Sequence, residues 1–289
     1  MIKENKYFKF NNHNLIIISG EDRFKFIQGL ISNDIYKCNN GIIYASLLTP
    51  QGKFLFDFYI FEHNNSLLLE SVSENLELII NKLNIYKLRS NVSINKFDKF
   101  KSIIINENHF GVLPKISEKL DFIYFKDPRK KFSLIKIYAD INNLEQLYEM
   151  LDVSHLTNEE YHRIRLKNTI PDFFKDAESS KSLLLEIGFD NLNGIDWKKG
   201  CYMGQELTAR TKYRGNLKKR IFGFLVDGEI NNNVICFENK EIGFLTSFNS
   251  EYAIGIAKIN EANLSIETKK ALSCDNAKLT PFIPAWMKD

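Results

Sequence analysis

The chain has 289 residues, enough for two or three compact domains rather than one core. Hydrophobic residues make up 44% and charged residues 26%, the balance of a folded globular protein, which excludes disorder over most of the length. Thirty-nine basic residues stand against 36 acidic ones, and a net charge of +3 gives no global reason to bind nucleic acid; only a local patch could.

The first apolar run, Leu15 to Ile18, is too short for a signal-peptide core and is followed by Glu21 and Asp22. No stretch approaches the roughly 20 apolar residues of a membrane span. A soluble, cytoplasmic protein without membrane contact is expected. Residues 14–19 (LIIISG) read as a short buried strand. Phe24, Ile27, Leu30 and Ile31 then recur at helical spacing, which predicts a helix over 21–35. Pro50-Gln51-Gly52 between two β-rich runs predicts a hairpin. Leu76, Ile79, Ile80, Leu83 and Leu88 share one face of a predicted helix over 74–89. β-rich runs fill 91–140, and helices are expected at 141–151 and 159–168, the second ending before Pro171. From about residue 217 short strands follow one another (IFGFLV, VICFEN, EIGFLTS, YAIGIAKI, LSIET) with little helix, the pattern of a small β-barrel or sandwich. The fold class is α+β. A boundary near Gly215–Asn216 divides 1–215 from 216–289.

Four cysteines (38, 201, 236, 274) lie far apart, with no C-x-x-C pair, and five histidines show no i, i+4 pair. A metal site built from this chain alone is not expected. One cysteine stands out: residues 197–210 read WKKGCYMGQELTAR. Gly200 and Gly204 bracket it and permit a tight turn, while Gln205 to Thr211 are good helix formers that Gly215 can end. A helix start and the charges of Lys198 and Lys199 would favour a thiolate. A cysteine packed as a small hydrophobe explains the same pattern, and the two readings stay open. Downstream, Arg210, Lys212, Arg214, Lys218, Lys219 and Arg220 form a basic run with Tyr213, suited to phosphates, a polyanionic tail or RNA, or else to a solvated helix end. Upstream, Glu186 sits in the apolar run SLLLEIGF. It is either paired with Arg163 or Arg165, or free to accept hydrogen bonds from the N–H edge of a pterin-like ring.

The segment Lys199-Gly200-Cys201-Tyr202-Met203-Gly204-Gln205-Glu206 resembles the K-G-C-Y-x-G-Q-E signature of the YgfZ/Iba57 family, relatives of the glycine-cleavage T-protein. The likeness extends to Arg23, Phe26, Gln28, Gly29, Asn33 and Asp34, to the hairpin LLTPQGKFLFD, to RIRLKNTIP (163–171), and to EIGFLTS and YAIGIAKI. Leu184 and Thr169 replace a usual proline and glycine. A lone Asp57 stands behind Phe56 where true aminomethyltransferases show paired aspartates.

The resemblance implies a T-protein-like domain with a ferredoxin-like insertion and a C-terminal β-barrel, arranged around a central folate channel. It implies tetrahydrofolate or a derivative as cofactor, with Glu186, Asp57, Lys199, Tyr202, Gln205, Arg165, Arg210 and Arg214 as binding residues and Cys201 as the functional thiol. The implied role is iron–sulfur cluster assembly or repair. Its partners would be assembly proteins and client [4Fe–4S] enzymes, including tRNA-modifying ones, and the chain itself is expected to be monomeric. The thiol's step could be redox work, one-carbon capture or transient cluster contact. A glycine-cleavage aminomethyltransferase and a direct tRNA-binding module are the alternatives, and the lone Asp57 tells against the first.

Overall fold

A computed structural model describes residues 2–129, 131–215 and 217–288. Asn216, one side of the expected boundary, lies outside the described residues. The chain forms two compact units. The first takes residues up to Leu48, Phe56–Tyr161 and Asn193–Met203; the second takes Thr49–Leu55, His162–Leu192 and the chain from Gly204 onward.

The first unit holds two sheets. Strand Phe100–Asn106, helix Leu113–Ser117, strands Phe122–Lys126 and Leu134–Asp140, helix Leu144–Leu151 and strand Ser154–His155 follow the β-α-β-β-α-β order of a ferredoxin-like unit. The N-terminal strand Lys6–Lys9 is inserted into its sheet, parallel to Ser154–His155 and antiparallel to Phe100–Asn106. Leu144, Leu147, Tyr148 and Leu151 recur at helical spacing, which turns their side chains onto Ile103, Ile105, Ile135 and Ile137. The other sheet runs in the order Ile42–Leu48, Phe54–His63, Ser66–Val72, His13–Ser19, Ser93–Phe97. Helix Leu76–Lys87 buries Leu76, Ile79 and Leu83, close to the expected helix. Leu15, Phe61 and Leu68 from this sheet pack with Phe100 and Tyr138 from the first.

The helix expected over 21–35 is cut short. It spans Arg23–Gln28, and a 3-10 turn, Ile35–Asn40, follows. Side chains that can bond the main chain compete with the helix there. Gln28 Oε1 accepts from the Ile35 N–H, Gln28 Nε2 donates to Asp34, and Asn33 Nδ2 donates to the carbonyls of Tyr44 and Asn193.

In the second unit six strands close into a barrel: Lys219–Asp227, Tyr252–Lys258, Lys240–Phe248, Val234–Phe237, Leu272–Cys274 and Ala277–Phe282. Phe222, Phe224, Ile235, Leu245 and Leu279 fill it. LSIET, expected as a strand, lies in the helix Ile259–Thr268. The buried positions of this helix are the small residues Ala262 and Ser265, so its apolar period is faint in the sequence. The hairpin tip forms as expected: the Thr49 N–H bonds the Lys53 carbonyl, and Gly52 takes φ +81°. A Cβ at Gly52 would lie 2.6 Å from the Gly204 carbonyl oxygen and 2.7 Å from Leu207 Cβ. That close approach seats the hairpin against the start of helix Gln205–Arg214, which Gly215 ends.

Candidate functional site

The first unit presents the thiol. Cys201 is exposed, while Cys38 and Cys274 are buried, so packing does not explain it. It follows a loop pinned by its neighbours. Asp196 takes the N–H groups of Lys198 and Lys199 on one oxygen and the Lys37 ammonium, at 2.7 Å, on the other. These contacts hold the Asp196 carboxyl below its ordinary range, against the opposing effect of burial. The Asp196 N–H bonds the Ser32 carbonyl, and the Met203 N–H bonds that of Gly29.

Lys199 does not face the thiol's solvent side as a free charge. Its ammonium donates to the carbonyls of Gln28, Ile31 and Asn33 at 2.7–2.8 Å, and lies 5.0 Å from the centre of the Tyr202 ring. Burial pushes Lys199 down to about 8, with Asp34 and Asp196 opposing. Tyr202 is buried. Asp57 is half-buried and accepts the Tyr44 hydroxyl at 2.7 Å. Burial, then the Asp57 charge, pushes the Tyr44 phenol up, so Tyr44 stays an O–H donor to Asp57.

The second unit carries the remaining candidates. Glu186 is half-buried and pairs with neither Arg163 nor Arg165. Arg163 pairs with Glu251 at the surface instead. Burial raises the Glu186 carboxyl, while Lys53, Lys219 and the Leu183 main chain pull it back. A half-buried carboxyl without an arginine partner keeps acceptor oxygens for a hydrogen-bond donor.

Arg165, an expected folate-binding residue, is 3% exposed and bonded to Asp176 at 2.7 Å. Asp176 also accepts from Thr246, Ser247 and the Asp172 N–H, which ties the 162–192 segment to the barrel strand Lys240–Phe248. Gln205 is the first residue of helix Gln205–Arg214 and is half-buried; Glu206, Arg210 and Arg214 on the same helix are exposed. Two of the six charges in the basic run are engaged within this unit: Lys212 lies 3.9 Å from Asp190, and Arg220 donates to Asn191.

The sequence reading missed a polar interior in the first unit. Glu70, 1% exposed, accepts from Lys136, Tyr138 and His13. Beside it, Arg129 binds Asp127 through two nitrogens and lies over the rings of Tyr44 and Tyr59. Among the described residues no three of His, Cys, Asp and Glu gather as a metal site.

Comparison with known proteins agrees with this architecture. The glycine cleavage system aminomethyltransferase T from Bartonella henselae superposes with a TM-score of 0.72 over 88% of this chain and 78% of that one, at 13% identity, so the likeness is one of fold. Residues 218–289 match the family model described as the CAF17 C-terminal beta-barrel domain. The chain is thus a T-protein-like α+β protein with a CAF17-type barrel.

More particularly, it is a homologue of the iron-sulfur cluster assembly factors named IBA57. The homolog in Mycosarcoma maydis is 30% identical over 235 residues, 75% of this chain and 56% of the relative. That in Dictyostelium discoideum is 30% identical over 249 residues, 73% and 60%. The mouse protein is 26% identical over 246 residues, 77% and 67%. The chain therefore spans little more than half the length of the first two. All three relatives are named as mitochondrial, which corrects the cytoplasmic expectation. The short first apolar run bears only on a secretory signal, and so never distinguished the cytoplasm from the mitochondrion.

Proposed function

We propose that this chain is a folate-binding iron–sulfur cluster assembly or repair factor, with Cys201 as its working thiol. The observation that carries the reading is the exposure of Cys201 between buried or bonded neighbours, within the K-G-C-Y-x-G-Q-E segment. A thiol held out on a braced loop is built to meet a partner. The partners are the assembly machinery that the relatives' names point to and the [4Fe–4S] enzymes it serves.

Tetrahydrofolate or a derivative is the cofactor of this reading; bound, it would supply a one-carbon carrier. In the second unit Glu186 would take the pterin edge, and Gln205, Arg210 and Arg214 would serve the rest of the molecule. In the first unit Asp57 and Tyr202 remain candidates, with Asp57 already oriented by Tyr44. Aminomethyl transfer is not the proposed activity, because Asp57 has Phe56 rather than a second acid before it. Calorimetry with tetrahydrofolate tests the cofactor: saturable 1:1 heat is expected, lost in Glu186→Ala, and no heat from the intact chain would overturn it.

A further inference from the structure

Two segments far apart in the chain, 28–34 and 193–203, are laced together inside the first unit. Ser32 Oγ donates to the Gly194 carbonyl at 2.6 Å, and Asn33 Nδ2 donates to that of Asn193 at 2.9 Å. The main chain adds two bonds, Asp196 N–H to Ser32 and Met203 N–H to Gly29. At the centre is the Lys199 ammonium. It has three N–H donors, and three carbonyl oxygens, from Gln28, Ile31 and Asn33, stand at 2.8, 2.7 and 2.8 Å.

The Gln28 carbonyl ends the short helix Arg23–Gln28, where main-chain oxygens have no helical partner, and those of Ile31 and Asn33 lie in the turn that follows. A compact point charge can serve three oxygens converging on one spot. A planar guanidinium cannot, because its donors spread in a fork.

We propose that Lys199 is a positioning residue for Cys201. It latches the loop carrying the thiol onto the 28–34 turn, and it acts through geometry rather than by lending its charge to the sulfur. The importance of that latch rests on Cys201 being the functional thiol, as proposed above; the latch itself does not. Lys199→Met leaves three carbonyls unserved and frees the loop two residues before the thiol. Lys199→Arg keeps the charge and loses the fit.

The test is amide hydrogen exchange on the full chain and both variants, with Cys201 alkylation by iodoacetamide followed across pH on the same samples. The Met203 and Asp196 amides are expected to exchange about tenfold faster or more in both variants, while barrel amides such as Phe224 keep their protection. The pH midpoint of alkylation is expected to stay where it is. Three outcomes would overturn the proposal: unchanged protection at Met203 and Asp196; restoration by Lys199→Arg together with a shifted midpoint in Lys199→Met, which would assign a charge effect; or loss of protection spread evenly over the chain, which would assign a general stabilising role. Because exchange is read without any partner or folate, a failure of the assembly-factor reading would leave this result standing.

Discussion

Glu186 owes its raised carboxyl first to burial, which Lys53 and Lys219 only partly offset. A carboxyl raised by folding holds its proton more firmly in the native state. Its favourable contribution is complete below the unfolded value of about 4.3 and is lost as pH rises through the folded value. Glu186→Gln should therefore raise Tm at pH 7, leave it unchanged at pH 3, and weaken tetrahydrofolate binding. Scanning calorimetry at the two pH values checks the sign, and a lowered Tm at pH 7 would refute it.

Thr169 is a different case. It is fully buried at φ +50°, a conformation costly for a β-branched residue, and its Oγ1 has no hydrogen-bond partner in the protein. A glycine, which the family resemblance leads one to expect at this position, would meet neither cost. Thr169→Gly should stabilise by about 1 kcal/mol after the entropy of glycine is counted, or roughly 2–4 °C in Tm. A lower Tm would show that the lost methyl and hydroxyl packing outweighs the strain.

The strands of the first unit illustrate what alternation can and cannot tell. The sequence reading assigned no role to Glu70 in SLLLESV or Lys136 in SLIKIYAD, because period two gives two faces without saying which one meets another sheet. Both point inward, at 1% exposure. Burial alone would raise the Glu70 carboxyl; Lys136, His13 and Tyr138 override it and keep it ionised far below its usual range. Removing one partner leaves a buried charge, so Glu70→Gln or Lys136→Met should each cost about 3–5 kcal/mol. The pair Glu70→Leu with Lys136→Met should recover most of that. Urea unfolding measures all three, and additive losses in the double variant would contradict the ion pair. The short helix Arg23–Gln28 shows the same limit from another side. Apolar spacing predicted fifteen helical residues, but the side chains of Gln28, Asn33 and Asp34 claimed the main chain first.

Across the molecule, the α+β class and a small C-terminal barrel or sandwich were legible in patterns repeated over many residues, while the ferredoxin-like insertion was an implication of the family resemblance. The site was legible as a list of residue types and less so as a set of roles. K-G-C-Y-x-G-Q-E marked Cys201, which is exposed. It could not show that Lys199 serves main-chain carbonyls or that Arg165 is paired inside with Asp176, because both depend on partners distant in sequence.

Function at this scale is tested most directly by the activity of [4Fe–4S] enzymes in cells lacking this chain, complemented by wild type or by Cys201→Ala. An exposed residue on a braced loop can lose its sulfur without loss of fold, so the variant should accumulate and bind tetrahydrofolate like wild type. The account predicts that Cys201→Ala leaves those enzymes as inactive as the empty vector does. Full restoration by Cys201→Ala would contradict it.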